Sequence, residues 1–485
     1  MKKQIYRIAT LLLVLITISS CGGDDSSDNN TPDSVLPSVT IAQITNITSE
    51  SATSGGQVTN DGGATILEKG VCWSTSPNPD ITNNKTNEGS GSSDFVSEIS
   101  NLNSNTEYYI RAYATNNVGT SYSEQSVFST QDCSITGNVY LRNQEELNTF
   151  GENNYCEIIG DLVMVYDSNS NNPITDLSPL NSLTKVSTFT ISGNPFLENL
   201  DGLNITSING FWIIANSNLT NIDALSSINS DVNMISIDEN SELTNIDGLS
   251  NITTMVEINE NPISINISTN DNLLNIDGLS NITSFEAVNP GWIYIEFNDV
   301  LTNINGLNNL PSNFNGSIII GANFTLNNIE GLSNFTNIQG NLLIRSLGDG
   351  FTSLNALENL TTIGEKLDIT LTKIENFDGL QNLVSVGEEI NFSGNNSLIS
   401  IDGLINLETA DQITFNNNNF LTNLDGLANI NTITNDLKIT SNNALSDFCG
   451  LNEVVFANGI GGDYIVDTNG YNPTQQDILD GNCSL

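Results

Sequence analysis

The chain has 485 residues, more than one compact core usually holds, with 38% apolar and 14% charged residues and a net charge of −44. Such a charge repels nucleic acid and anionic membrane surfaces, leaving cations, basic partners or a solvated acidic exterior. There is no histidine, and the six cysteines nowhere form a Cys-x-x-Cys pair, which excludes Ser-His-Asp and Cys-His catalysis, His-ligated metal and thiolate zinc.

Residues 1–20 read as a signal peptide: Lys2, Lys3 and Arg7 precede an apolar run, residues 9–18, too short for the roughly 20 residues a membrane-spanning helix needs. The leader ends Ile18-Ser19-Ser20-Cys21, which resembles a bacterial lipobox. The resemblance implies cleavage before Cys21 and acylation of its thiol and new amino group, with palmitate-type chains. It also implies an outer-membrane location, lipid-anchored and facing the cell exterior, with the lipid as the only membrane contact. Residues 21–37 contain GGDDSSDNNTPDSV, rich in Gly, Ser, Asn and Asp, and read as a disordered tether. The acids just after Cys21 resemble the surface-export signal of some Gram-negative lipoproteins.

Residues 38–131 carry strand-like alternation and turn clusters. The segment from Thr106 to Ala114 alternates over nine residues and stops at Asn116-Asn117-Val118-Gly119. Leu102, Thr106, Tyr108, Ala114, Asn116 and Gly119 approach the pattern of fibronectin type III domains, which this stretch resembles. Val71-Cys72-Trp73 supplies the buried strand and core tryptophan of such a β-sandwich. Cys72 reads as a buried free thiol.

Residues 133–485 hold an internal repeat. A phrase close to Ile-Asp-Gly-Leu recurs, its leucine falling at Leu180, Leu203, Leu225, Leu249, Leu279, Leu307, Leu332, Leu357, Leu380, Leu404, Leu427 and Leu451. The interval is 22–25 residues, with longer ones of 30 and 28 after Leu249 and Leu279. That is the period of a solenoid with loop insertions, about twelve coils and roughly 58 Å long at ~4.8 Å per rung. Ile390 and Phe392, two apart, face inward from one short strand, and spacings of three mark tight or 3₁₀-like turns.

Three residues before the first apolar residue of the closing triplet stands an asparagine in most coils: Asn171, Asn194, Asn216, Asn240, Asn270, Asn298, Asn323, Asn395, Asn418 and Asn442, with Gly348 and Leu371 breaking the series. Stacked amides of this kind form a structural ladder that satisfies the polar groups of a buried corner. The spacing Ile-x-Phe-x-x-Asn-x-x-Leu has one more residue after the asparagine than leucine-rich repeats. It resembles the receptor L domains of the insulin and epidermal growth factor receptors. The segments from Ile135 to Leu141 and from Cys156 to Leu162 look like that family's opening. The resemblance implies a mainly β chain whose sandwich is followed by a right-handed, leucine-rich-repeat-like β-solenoid, either one unit or two fused ones. Cys133 and Cys156, one coil apart, fall within disulfide reach on adjacent rungs, and Cys449 and Cys483 flank the last coil, so each pair staples one end.

No phosphate loop, nucleophile elbow or EF-hand loop is present. The acids recur at one position, Asp201, Asp223, Asp247, Asp277, Asp378, Asp402 and Asp425, as a repeated solvated turn does; a weak calcium stripe is the only cofactor reading they leave. With the ladder as register, Trp212, Ser236, Asn266, Tyr294, Ile319, Leu343, Asp368, Asn391, Thr414 and Lys438 share one outward column, and Trp292 neighbours Tyr294. Grouped aromatic and apolar residues there point to a binding patch, Trp212, Trp292, Tyr294 and Leu343, for an extracellular protein or glycan. An insertion loop lying over the patch is the competing explanation. The leading functional expectation is thus a non-catalytic surface binding or adhesion lipoprotein. Its alternatives are a glycan-degrading enzyme with paired carboxylates in a deep cleft and a structural surface or biofilm component.

Overall fold

The computed structural model describes residues 33–485; the leader, Cys21 and residues 21–32 of the tether lie outside the described residues. The chain divides into one compact unit ending at Asp132 and a second from Cys133 to Leu485.

The first unit is antiparallel. Ser38–Ile41, Ala52–Asn60 and Phe95–Ile99 form one sheet, and Glu68–Ser74, Asn84–Lys85, Glu107–Thr115, Thr120–Tyr122 and Ser126–Ser129 form another. Val71, Trp73, Ile99, Leu102, Ile110 and Ala112 pack in the core they share. The alternation read from residue 106 onward is the strand Glu107–Thr115. At its start the Tyr108 hydroxyl accepts from the backbone N–H of Asn103 at 3.0 Å. At its end the buried Asn116 side chain donates to Val35 and Asp61 carbonyls and accepts from the Val118 and Gly119 N–H groups. Lys69 is buried among oxygen atoms, its Nζ donating to the Gly91 carbonyl at 2.9 Å and the Ser93 carbonyl at 2.6 Å. Cys72 is a buried free thiol, and burial pushes its pKa up to about 11.

The second unit is a β-solenoid, and the protein as a whole is mainly β. Its long parallel sheet runs from Val139–Leu141 through Glu157–Val165, Lys185–Ser192, Gly210–Ile214 and Met234–Asp238, one strand per coil, to Leu437–Thr440 and Tyr464–Asp467. A second, six-stranded parallel sheet stacks Asn313–Phe314 through Thr432–Ile433 in the later coils. Ten 3₁₀ turns, from Ser178–Leu180 to Cys449–Leu451, carry the recurrent leucine, four of them with Asp-Gly-Leu in full. The coils ending at Leu203 and Leu380 instead turn through Gly202 and Gly379, both at positive φ. Inward residues are sealed: Ile390, Phe392, Ile413 and Phe415 are fully buried, and the Phe392 and Phe415 rings sit 5.4 Å apart on successive rungs. Each such side chain adds about 1.5–3 kcal/mol by leaving water.

The glycine of the repeat phrase has a packing cause. A Cβ built on Gly403, Gly426 or Gly450 would run into the carbonyl oxygen of Phe377, Ile401 or Leu424 in the preceding coil. The asparagine before the phrase closes the turn, as when the Asn423 amide oxygen accepts from the Asp425 N–H at 3.1 Å. A further asparagine after it ties coils together, as when Asn429 donates to the Ile405 carbonyl at 2.8 Å.

The corner after each long-sheet strand is built on the asparagine ladder. Asn194, Asn216, Asn240, Asn270, Asn298, Asn323, Asn395, Asn418 and Asn442 are all buried. Asn240 shows the wiring. Its Oδ1 accepts from the Asn216 N–H at 3.1 Å, its Nδ2 donates to the Ile213 carbonyl at 2.8 Å, and its own N–H donates to Asn270 Oδ1 at 3.1 Å. Asn469 extends the column by one rung, receiving the Asn442 N–H at 3.0 Å. Asn171 does not belong to it. That residue is exposed, and the register puts Asp167 opposite Asn194. The first corner closes on itself through Asp167, whose carboxylate accepts from the Asn169 N–H, so Asn194 Oδ1 is left without a partner. The breaks also fall one residue from Gly348 and Leu371: the column residues are Leu347 and Thr372. One coil has gained a residue between column and core and the next has lost one, so counting back from the core misplaces both. Thr372 takes the amide's part, its hydroxyl donating to Asn395 Oδ1 at 2.8 Å.

The residue before each column position adopts the left-handed conformation. It is glycine at Gly193 and Gly394, but Ala215, Glu239, Thr269, Phe297, Ala322, Ser346, Leu371, Asn417, Ser441 and Thr468 also have φ between 49° and 62°. For residues with a Cβ this costs about 1–2 kcal/mol each. Hydrogen bonds of the buried amides offset it, each about 1 kcal/mol net and far costlier to leave unmade.

Two outcomes follow for stability. Asn270→Ala orphans the Asn240 N–H and the Ile237 carbonyl, and denaturant titration should show a loss of about 3 kcal/mol. Leu371→Gly removes a left-handed leucine that is exposed, and the same titration should show a gain of about 1 kcal/mol.

Candidate functional site on the outward strand face

Because successive residues of a strand point to opposite sides, the residues between the core positions of each strand form columns on the outer face. The register gives Thr190, Trp212, Ser236, Asn266, Tyr294, Ile319, Leu343, Asp368, Asn391, Thr414 and Lys438 as one column. Trp292 lies in the adjoining outward column, after Gly210, Met234 and Ser264 and before Ser317. Trp292 and Tyr294, two apart on one strand, stack with ring centroids 6.1 Å apart and planes 18° apart.

Exposure along the column differs from the sequence expectation at one point. Trp292 is 38% exposed and Trp212, Tyr294 and Leu343 are half-buried, but Ile319, between Tyr294 and Leu343 in the column, is only 4% exposed. The apolar run is therefore interrupted at the surface between Tyr294 and Leu343.

Two shallow cavities lie on this face and share Trp212 and Met234. One, of about 410 Å³, is lined by those residues with Ser236, Ser264, Asn266 and Tyr294. The other, of about 370 Å³, is lined by Asp161, Ser187, Thr188, Asn209, Asn233 and the loop residues Ile258, Asn259 and Asn261. That loop belongs to the long insertion after Leu249. It forms a wall beside Trp212, with Trp292 still exposed. A larger notch of about 620 Å³ sits at the first rung, between Val139–Leu141 and the helix Gln144–Gly151, where the Arg142 guanidinium lies over the Tyr140 ring.

Beyond Leu343 the face becomes charged. Lys366 Nζ stands 2.7 Å from Glu389 and 3.4 Å from Asp368, with Arg345 on the other side of Asp368. Burial works against the Lys366 ammonium, yet Glu389 and Asp368 outweigh it and hold its pKa above the ordinary lysine range. Asp368 itself is buried, with Oδ1 unpartnered.

Asp223, Asp247, Asp277, Asp402 and Asp425 sit in the 3₁₀ turns, and Asp201 and Asp378 in the glycine turns before Leu203 and Leu380. Partial burial, with the charges of Asp447 and Asp402, raises the Asp425 carboxyl above its ordinary value. Among the described residues no group of three or more acidic or cysteine side chains is placed to hold a metal ion. Cys133–Cys156 and Cys449–Cys483 are disulfides at the two ends of the solenoid. Among the described residues no helix is long and apolar enough to cross a membrane.

No protein-family model and no curated protein sequence matches the chain. Two solved structures show partial similarity. The sensor domain of the anti-sigma factor RsgI4 of Pseudobacteroides cellulosolvens is 19% identical over 20% of this chain and 96% of that one, with a TM-score of 0.16. The pectate lyase PelI of Erwinia chrysanthemi, solved with tetragalacturonic acid, is 9% identical over 78% of this chain and 84% of that one, with a TM-score of 0.15. Neither similarity bears on what the outward face binds.

A raised carboxyl pKa means a folded state that favours the protonated acid, so Asp425 is unfavourable at neutral pH and neutral in cost below the unfolded carboxyl range. Asp425→Asn should raise the melting temperature at pH 7. The gain should vanish as the pH falls below about 4, which thermal scans across that range will measure.

Proposed function

We propose that this chain is a non-catalytic surface lipoprotein whose solenoid presents its outward strand face to an extracellular ligand. The observation that carries the reading is the stacked Trp292–Tyr294 pair. Two large rings, one exposed and one half-buried, stack on a strand face where the adjoining positions are Ser264, Ser317, Asn266 and the buried Ile319. Rigid aromatic side chains with little entropy to lose are the usual anchors of a binding surface.

The lipobox-like Ile18-Ser19-Ser20-Cys21 supports anchoring through Cys21 and an outer-membrane position facing outward, with the acidic tether as spacer. The first unit is read as a fibronectin type III-like sandwich, on the strength of its two antiparallel sheets, the buried Trp73 and the Tyr108 hydroxyl bonded back to Asn103. The second is read as receptor-L-like, on its ladder spacing and end disulfides. A hydrolase with two carboxylates fits less well. Of the acids on the face, Asp368 and Glu389 share the Lys366 ammonium, which leaves neither of these two free as a proton donor.

The test is a glycan and protein array screened with the wild type and with Trp292→Ala and Leu343→Ala. Trp292→Ala should weaken capture by more than 1 kcal/mol, about tenfold, and Leu343→Ala by less, both with unchanged melting temperature. Equal capture by all three proteins overturns the reading.

A further inference from the structure

On the outward face the patch between Trp212 and Tyr294 is uncharged in a chain that is otherwise acidic. The cavity between Trp212 and Tyr294 is lined only by Trp212, Met234, Ser236, Ser264, Asn266 and Tyr294. No lysine or arginine stands on this patch: the basic residues of the face, Arg345, Lys366 and Lys438, all lie beyond Leu343 and are paired with acids. Acidic residues stand at its margins: Asp161 and Glu260 beside the adjoining cavity, and Asp238 and Glu296 in the next outward column.

From this geometry we infer that the ligand is a neutral, unbranched polysaccharide lying along the solenoid, across the strands, between Trp212 and the Trp292–Tyr294 pair. The inference rests on the reading of the outward face as the ligand face and assigns its chemistry. Trp212 and Tyr294 occupy one column three rungs apart, with Ser236 and Asn266 between them. At ~4.8 Å per rung the rings are about 14 Å apart, so only an elongated ligand reaches both. A pyranose ring offers flat C–H faces to the aromatic rings and hydroxyl edges to the hydroxyl and amide groups of the floor.

Charge decides against the other polymers. An anionic chain would meet no cation here and would be repelled by the marginal acids, which act within a Debye length of about 8 Å. A cationic chain would be drawn to those marginal acids but would find no carboxylate inside the Trp212–Tyr294 cavity to hold it against the rings. A protein partner would need roughly 800 Å² of its own surface buried, whereas the observed features are two small adjoining cavities of the scale that takes small ligands.

The experiment is affinity electrophoresis of the whole protein through gels containing glucomannan, pullulan or mixed-linkage β-glucan as neutral, essentially linear polymers, polygalacturonate as the anionic one and chitosan as the cationic one. At least one neutral polymer should retard the protein, and raised salt should leave that retardation unchanged. Trp212→Ala and Tyr294→Ala should each weaken it about tenfold or more, and Thr414→Ala, in the same column but far from the rings, should not. Ser264→Trp fills the cavity from the outside and should block retardation without removing any packing, which covers the case in which an alanine variant unfolds. Retardation by polygalacturonate or chitosan alone, abolished by salt, overturns the neutral class and leaves the binding face standing. Retardation by no neutral polymer overturns the inference as well. Retardation by a neutral polymer that survives Trp212→Ala, Tyr294→Ala and Ser264→Trp overturns both the inference and the face.

Discussion

The corner amide is the constraint on which the second unit depends. A chain that winds through parallel strands must turn sharply at the end of each one, and the turn leaves backbone N–H and carbonyl groups inside the protein. Here each buried asparagine donates to the strand carbonyl of the coil before it and, from Asn216 onward, accepts an N–H of that coil. The amide therefore satisfies the corner and sets the register between coils in one stroke. Because the left-handed residue just before it is glycine at only two corners, the fold accepts a conformational cost at nearly every coil and recovers it from the ladder. Thr372 shows the minimum requirement, a side-chain donor and acceptor of the right reach, and Leu347 shows that one rung can go without.

Close coil-to-coil contact imposes the other recurrent residue. At the 3₁₀ turns, successive coils approach until the glycine Cα lies against the preceding carbonyl, so the glycine of the repeat phrase answers to sterics and its leucine to burial. Both are structural duties: the leucine recurs in every coil, and the glycine in all but those where Pro179, Ala224 or Ala356 takes its place. The outward strand positions carry no such duty, which is why they vary from Trp212 to Ser236 to Asp368 along one column. Variation on an otherwise regular scaffold is where a ligand can be recognised without disturbing the fold.

The same division explains what was legible beforehand. The period, the inward leucines, the ladder residues from Asn194 to Asn442 and the outward column can be counted from the sequence, because each follows from a repeat of 22–25 residues and an alternation of two. The exceptions were not legible. Asn171 carries the right residue type but precedes the first complete corner. Leu347 and Thr372 are displaced by a gained and a lost residue, and counting back from the core cannot detect either. Ile319 shares the outward column with Tyr294 and Leu343 but lies beneath the surface they form, since a column position fixes direction and leaves depth to the neighbours.

The sequence by itself determined the solenoid, because burial every coil and an amide every corner must recur at a fixed interval in any chain that stacks on itself. It also determined the pairs Cys133–Cys156 and Cys449–Cys483 as end staples and the column to which Trp212 and Tyr294 belong. Only the tertiary structure decided that the Trp292 and Tyr294 rings stack, that the Ile258–Asn261 turn walls one side of Trp212, and that the patch between the rings is free of charge. The last two depend on packing between coils whose residues stand tens of positions apart, and the stack depends on the rotamers of two neighbouring rings; no periodicity encodes either.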